Sequence, residues 1–348
     1  MSPSSFCACH SVRSFLRLAV GLALGILAGW YTLRDSAWDE LWGSLIRVAP
    51  LPVLLAAVLL AATQVVKVWR WQAILGRSAE VSFGQALRGL LVGQALNLLL
   101  PLRAGDIARV WLVGRQVAQG VVYTGYTVAL EKVLDISMAA VSLCLLLIWE
   151  PWPPWLSRSG IMVGVGGACV VVGGLIAAYA WQCHHGVTAF LHGVNRAWYT
   201  QLACHLWLPA MQLAREMSTA YRDGRLIWVA VHSVGMWLLS GATNLAVFWA
   251  LGIVVHWTVA WLVLVAIYLG VVLPAPPTRA GVWHFLVVLA LSGYSVEPGA
   301  AAACSVLLHA VVVLPLLLAG GVAAWVNPNV FPAATVRQHA KTRMPDQG

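Results

Sequence analysis

The stretch LPVLLAAVLLAATQVVKV, residues 51–68, carries one charge, Lys67, in its next-to-last place. A bilayer core takes about 20 apolar residues in one helix, so this stretch reads as a membrane span. Working outward, comparable apolar runs fall at 18–33, 133–149, 160–181, 226–251, 257–273, 281–295 and 300–326. Of the 348 residues, 61% are hydrophobic and 9% are charged. Soluble domains carry roughly 25% charge, so a soluble globular enzyme is excluded, and the hydrophobicity also excludes a disordered chain. The expected fold is all-α, a polytopic transmembrane helix bundle of about eight spans with one or two re-entrant broken helices. The membrane domain is expected over 15–326, between a cytoplasmic N-terminus at 1–14 and a cytoplasmic tail at 327–348.

Orientation follows from charge. Residues 67–115 hold seven Lys and Arg against Glu80 and Asp106, a net of +5, whereas the loop 34–47 has a net of −1. Basic loops stay in the cytoplasm, which places 67–115 inside and 34–47 outside. The loop 182–225 and the tail are basic as well, so eight spans with both termini inside satisfy every bias. Trp residues, 19 in all, cluster at the expected span edges, as interfacial aromatics do. The net charge of +9 then reflects loops and anionic lipids rather than nucleic acid. The seven Cys lack C-x-x-C pairing and read as small buried hydrophobes. Cys7, Cys9 and His10 lie close together, and His184, His185, His192 and His205 share one loop, but neither set completes a tetrahedral metal site. No metal and no cofactor is expected.

Residues 85–100 (QALRGLLVGQALNLLL) are apolar but short. A full crossing there would carry the basic stretch 103–115 outside. A re-entrant segment that dips in and returns removes the conflict, with a full span as the alternative.

The stretch from Asn97, NLLLPLRAGDIARVWLV, is the most informative for function. Pro101 and Gly105 break the backbone, and Asp106 is expected to cap the helix that restarts there. Arg103 and Arg109 flank that start, and a helix N-terminus with two guanidinium groups suits an anion. At a membrane the natural anion is a lipid phosphate. Some twenty residues on, Glu131 and Asp135 share one helix face, with Lys132 beside them. Charges next to an apolar run are costly and are usually paired or functional. The expected partners of Glu131 and Asp135 are Arg103, Arg109 or Arg70, which would build a polar pocket. A second broken segment, LPAPPTRAGVWHF at 273–285, repeats Leu-Pro and Arg-Ala-Gly. Here Pro274, Pro277 and Gly281 interrupt, and Arg279 and His284 are the polar candidates. Paired interruptions in two halves of a transporter point to its substrate site.

The pattern N-x-x-x-P-x-R-x-G-[DE]-x-x-R followed by E-[KR]-x-x-D resembles the transmembrane family of lysylphosphatidylglycerol synthases, also called flippase-like membrane proteins. The matching residues are Asn97, Pro101, Arg103, Gly105, Asp106, Arg109, Glu131, Lys132 and Asp135. Arg70 to Leu75 and Pro274 to Gly281 add to the likeness, which covers roughly 15–326. The family's second motif has a Gly-Gly pair and a Glu; this chain has Arg279, Ala280 and Gly281, with His284 near the Glu position. The resemblance implies a multi-pass inner-membrane protein that handles lipids or lipid-linked head groups. Two-domain members add a soluble aminoacyl transfer domain. About twenty residues follow the last expected span, so only the membrane part is expected here.

The reading that results is a lipid flippase or transporter binding a phosphate-containing head group. No nucleic acid is expected as a partner, and a partner enzyme of a lipid pathway is compatible with it. A membrane-embedded enzyme of lipid or lipid-linked glycan modification is the alternative, disfavoured by only 12 scattered acids. An accessory subunit of an envelope assembly is a further alternative.

Overall fold

The computed structural model describes residues 27, 30, 38–100, 103–146, 166, 212–270, 278 and 280–326. The expected termini, the runs at 18–33 and 160–181 but for residues 27, 30 and 166, most of the loop 182–225, and residues Pro101, Pro274, Pro277 and Arg279 lie outside them. Every regular element among the described residues is helical. In chain order these are α1 (Trp38–Ile46), α2 (Pro50–Leu75), α3 (Phe83–Leu99), α4 (Ala104–Gly114) and α5 (Gly120–Leu146). After the undescribed middle come α6 (Arg225–Ala250), α7 (Trp257–Gly270), α8 (Ala280–Leu291) and α9 (Pro298–Trp325).

Helix α2 shows how sequence sets the bounds. Proline occupies its first turn, where no amide partner is needed, and nothing interrupts it until Gly76, whose φ of 81° closes the C-terminus. The helix therefore runs on past the expected end at 68 and carries Lys67 and Arg70 within it. Ser82 then opens α3 with a capping box: its hydroxyl accepts from the Gln85 N–H, and the Gln85 side chain accepts from the Ser82 N–H. Helices α2, α6 and α9 have 26, 26 and 28 residues and are apolar enough to cross a membrane.

Helix α5 corrects an expectation. The sequence placed Glu131 and Lys132 just ahead of a span beginning at 133, with Asp135 in its first turn. Instead one helix runs unbroken from Gly120 for 27 residues. Residues 121–130 are apolar enough to continue it, so Glu131 stands near its middle.

The remaining helices are short and paired. Helix α3 has 17 residues and α4 has 11, about 25 Å and 16 Å long. They lie against each other as a hairpin broken near Pro101. The contact is backbone to backbone: a Cβ on Gly105 would collide with the Gly93 carbonyl oxygen. Among the described residues, the runs 257–273 and 281–295 form helices of 14 and 12 residues. These pack against each other as a second hairpin.

The packing repeats. In each half a long helix precedes a hairpin and a second long helix follows it: α2, α3–α4, α5, and then α6, α7–α8, α9. The two leading helices, α2 and α6, pack along each other; α9 packs on α3, and α5 on α7. The second arm of each hairpin, α4 or α8, starts at the Ala of an Arg-Ala-Gly sequence. The apolar core is centred on α6, α7, α8 and α9, with Phe248, Val263, Leu291 and Leu308 fully buried. Outward-facing Leu54, Val58, Leu238, Leu314 and Leu318 leave an apolar exterior, which in water would be a large exposed patch and in lipid is matched to its solvent.

Candidate functional site

Four charged side chains meet where α2, α4 and α5 come together. Arg109 Nη1 lies 2.8 Å from Glu131 Oε2, and Arg70 Nη1 lies 2.8 Å from Asp135 Oδ1. Arg70 Nη2 also stands 3.5 Å from Glu131 Oε1. Arg70, Arg109 and Glu131 are buried, at 1%, 3% and 3% exposure. Isolated charges at such depth would be prohibitive, but two guanidiniums and two carboxylates sum to zero. The Arg109 guanidinium also stacks 3.6 Å from the centre of the Trp71 ring. Trp71 is held by its N–H to Thr127 Oγ1, and Tyr123 donates to the Leu75 carbonyl. The expected partners of Glu131 and Asp135 were Arg103, Arg109 or Arg70, and the structure selects Arg109 and Arg70.

The helix restart at 103–106 is built differently from expectation. Asp106 is the third residue of α4 and does not cap it; the cap position is Arg103, with φ 55°. The Asp106 N–H is taken by Asn97 Oδ1 from across the hairpin, at 3.2 Å, and Asn97 Nδ2 donates to Asp106 Oδ1 at 2.9 Å. The capping oxygen thus comes from α3, which frees the Asp106 carboxylate to approach Lys132, at 3.6 Å.

Above this network lies a cavity of about 390 Å³. Of the residues singled out in the sequence, it is lined by Asn97, Arg103, Asp106, Lys132 and Asp135. Arg109 and Glu131 are not on its wall; they form the layer that supports it. His284 is also off the wall, bonded through Nδ1 to Ser305 Oγ at 3.2 Å, while its neighbour Trp283 is on it. Gly281 sits in the first turn of α8.

The cavity has polar groups that sequence reasoning did not single out. Lys67 lines it and forms no ion pair or hydrogen bond among the described residues. Gln64 Oε1, Gln94 Oε1 and Trp283 Nε1 are buried on its wall without a hydrogen-bond partner among the described residues. Thr63, Ser240 and Thr243 add hydroxyls. Asn244 donates to the Ala260 carbonyl at 2.9 Å, holding α6 against α7, and also reaches the wall. The rest of the wall is apolar, including Leu60, Ile136, Leu264 and Leu316. The wall therefore carries three cations, Lys67, Arg103 and Lys132, against two carboxylates, and Asp135 is already neutralised by Arg70 from behind. Buried polar atoms without partners, here two amide acceptors and one indole donor, are rare in native proteins, and a concave, mostly apolar site with a few convergent polar groups is what ligand pockets look like.

A bundle with long apolar helices, two broken hairpins and a charged cavity between them is an integral membrane protein. A family model, the lysylphosphatidylglycerol synthase TM region, matches residues 18–320. The chain belongs to that family. No curated protein matches the chain.

Proposed function

We propose that the chain binds the phosphate-containing head group of a membrane lipid in this cavity and carries such lipids across the inner membrane as a flippase, with both termini cytoplasmic. Lys67 carries the reading: an ammonium in an enclosed wall, with no carboxylate partner among the described residues, leaves positive charge that an anionic head group would neutralise. The unfilled Trp283 N–H can donate to phosphate, the unfilled Gln64 and Gln94 oxygens can accept from head-group hydroxyls, and the apolar wall suits the glycerol and upper acyl region. Lys132 and Arg103 add positive potential on the side of the first hairpin. The ion-paired layer of Arg70, Arg109, Glu131 and Asp135 holds the hairpin and α5 in place beneath.

The test is reconstitution in vesicles of phosphatidylcholine and phosphatidylglycerol with a fluorescent phospholipid, followed by quenching of the outer leaflet. Transbilayer movement should exceed that of protein-free vesicles and should fall about tenfold in Lys67→Met. Movement equal to empty vesicles for every phospholipid and polyprenyl-phosphate tried, with chemical conversion of one of them, would replace transport by the enzyme reading.

A further inference from the structure

The cavity presents more lone pairs than hydrogens where α2 and α6 face it. There the wall carries the hydroxyls of Thr63, Ser240 and Thr243. Thr63 donates to the Leu59 carbonyl, Ser240 to the Met236 carbonyl and Thr243 to the Leu239 carbonyl, each at 2.8 Å. Each bond runs four residues back along the side chain's own helix, a habit of Ser and Thr in helix interiors. A hydroxyl has one hydrogen, so these three have only lone pairs left for a ligand.

Gln64 is turned the same way. Its Nε2 approaches the Leu60 carbonyl at 3.5 Å. That carbonyl can only accept, so the amide nitrogen stays with the helix and Oε1 is left without a partner among the described residues. Gln94 of α3 brings a second unpartnered Oε1 to the wall. Oxygens from three helices are therefore placed to accept hydrogens that the protein does not supply. The Tyr268 hydroxyl, also on the wall, can serve in either role.

The charges decide what kind of donor fits. Lys67 follows Thr63 and Gln64 by one turn on the same face of α2. A phosphate on its ammonium would set whatever is esterified to that phosphate among the accepting oxygens. Both wall carboxylates are engaged, Asp135 with Arg70 at 2.8 Å and Asp106 with Asn97 and Lys132. An ammonium on the head group would thus meet Lys67 and find no open carboxylate. Choline has no N–H or O–H to give. An unsubstituted phosphate would answer Lys67 but turn oxygens toward the oxygens of Gln64 and Gln94. Neutral hydroxyls alone satisfy both demands.

Resting on the head-group reading above, we propose that the lipid phosphate bound here is esterified to a sugar or other polyol without an amine, whose hydroxyls donate to Gln64, Gln94, Thr63, Ser240 and Thr243. Lys67 supplies the attraction for the phosphate, and the accepting oxygens supply the choice among phosphate lipids.

The test uses the full chain in phosphatidylcholine nanodiscs. Phosphatidylinositol, phosphatidylglycerol, phosphatidic acid and phosphatidylethanolamine with identical acyl chains compete for it, and native mass spectrometry reads the adducts. Phosphatidylinositol should bind about tenfold tighter than phosphatidic acid, with phosphatidylglycerol between them and phosphatidylethanolamine weakest. Charge alone gives the reverse order for the first and third, because phosphatidic acid is at least as negative. Gln64→Leu and Thr243→Val should each narrow the gap between phosphatidylinositol and phosphatidic acid. The ranking is read on the unsubstituted protein, so it holds even where a variant fails to fold. Phosphatidic acid or phosphatidylethanolamine bound as tightly as phosphatidylinositol would overturn the polyol proposal and leave the phosphate site in place. Failure of all of them to bind would overturn both.

Discussion

Asn97 on α3 and Asp106 on α4 bond to each other twice, Asn97 Oδ1 accepting from the Asp106 N–H and Asn97 Nδ2 donating to the Asp106 carboxylate. One side chain thus serves as the N-terminal cap of a helix to which it does not belong, and it joins the hairpin at its break. Replacing a capping side chain by Ala costs about 1 kcal/mol. Asn97→Ala should lower the thermal midpoint modestly. Asn97→Asp removes the amide donor and sets a second carboxylate against Asp106, so it should lower the midpoint more than Ala does. Thermal unfolding in detergent, read for both variants, checks the order.

Arg109 and Glu131 are buried partners. Removing one member of such a pair leaves an uncompensated charge and costs about 3–5 kcal/mol. Arg109→Ala and Glu131→Ala should each abolish a sharp unfolding transition or lower it strongly. Arg109→Met combined with Glu131→Leu leaves less unpaired charge, so the double variant should be more stable than the sum of the single losses implies. A double-mutant cycle that uses Arg109→Met, Glu131→Leu and their combination measures this. Additivity would mean the two side chains do not support each other.

Lys67 should behave in the opposite way. It has no ion-pair partner among the described residues, so Lys67→Met removes an enclosed charge without orphaning another. The variant should unfold at the same temperature as the parent or higher, while phospholipid binding weakens about tenfold to a hundredfold. Native mass spectrometry of lipid adducts beside a melting curve separates the two effects. A destabilised Lys67→Met that still binds lipid would assign Lys67 to packing.

Two glycines make a contrast within one fold. A Cβ at Gly105 would run into the Gly93 backbone, whereas Gly321 on α9 has nothing within 4 Å of the corresponding position. Gly105→Ala should destabilise by about 1–3 kcal/mol or more through overpacking. Gly321→Ala should be neutral or stabilising by about 0.5–1 kcal/mol, because Ala suits a helix interior better. Detergent melts of both give the sign.

Most of the candidate site was legible because its residues break a rule that membrane sequences otherwise obey. Arg103, Asp106, Lys132 and Asp135 stand out as charges beside apolar runs, and all four reach the cavity wall. Lys67 and Arg70 were harder to see. The span was expected to end at 68, so Lys67 stood at its very end among the basic charges that follow, and Arg70 entered only as one of three candidate partners for Glu131 and Asp135. The signal that could have moved them inside is Gly76, the first helix-stopping residue after them. Glu131 was misplaced along its helix for a related reason: a hydropathy window stops at charges, while the backbone of α5 does not. Gln64 and Gln94 gave no signal, because one neutral amide in an apolar helix looks the same facing a cavity or a neighbouring helix.

The sequence by itself determined the solvent, the helical class and the two places where the helices break. Those follow from local quantities: apolar length, loop charge, and the inability of Pro and Gly to continue a helix. Tertiary structure alone decided which charge meets which. Arg70 and Asp135 are 65 residues apart, and Arg109 could have met Asp135 as well as Glu131 by sequence spacing. The choice depends on how α2 lies along α6 and how closely Gly93 lets α4 approach α3. That same packing separates the neutralised layer of Arg70, Arg109, Glu131 and Asp135 from the unpartnered Lys67, because only a three-dimensional arrangement determines which cations the available carboxylates can reach.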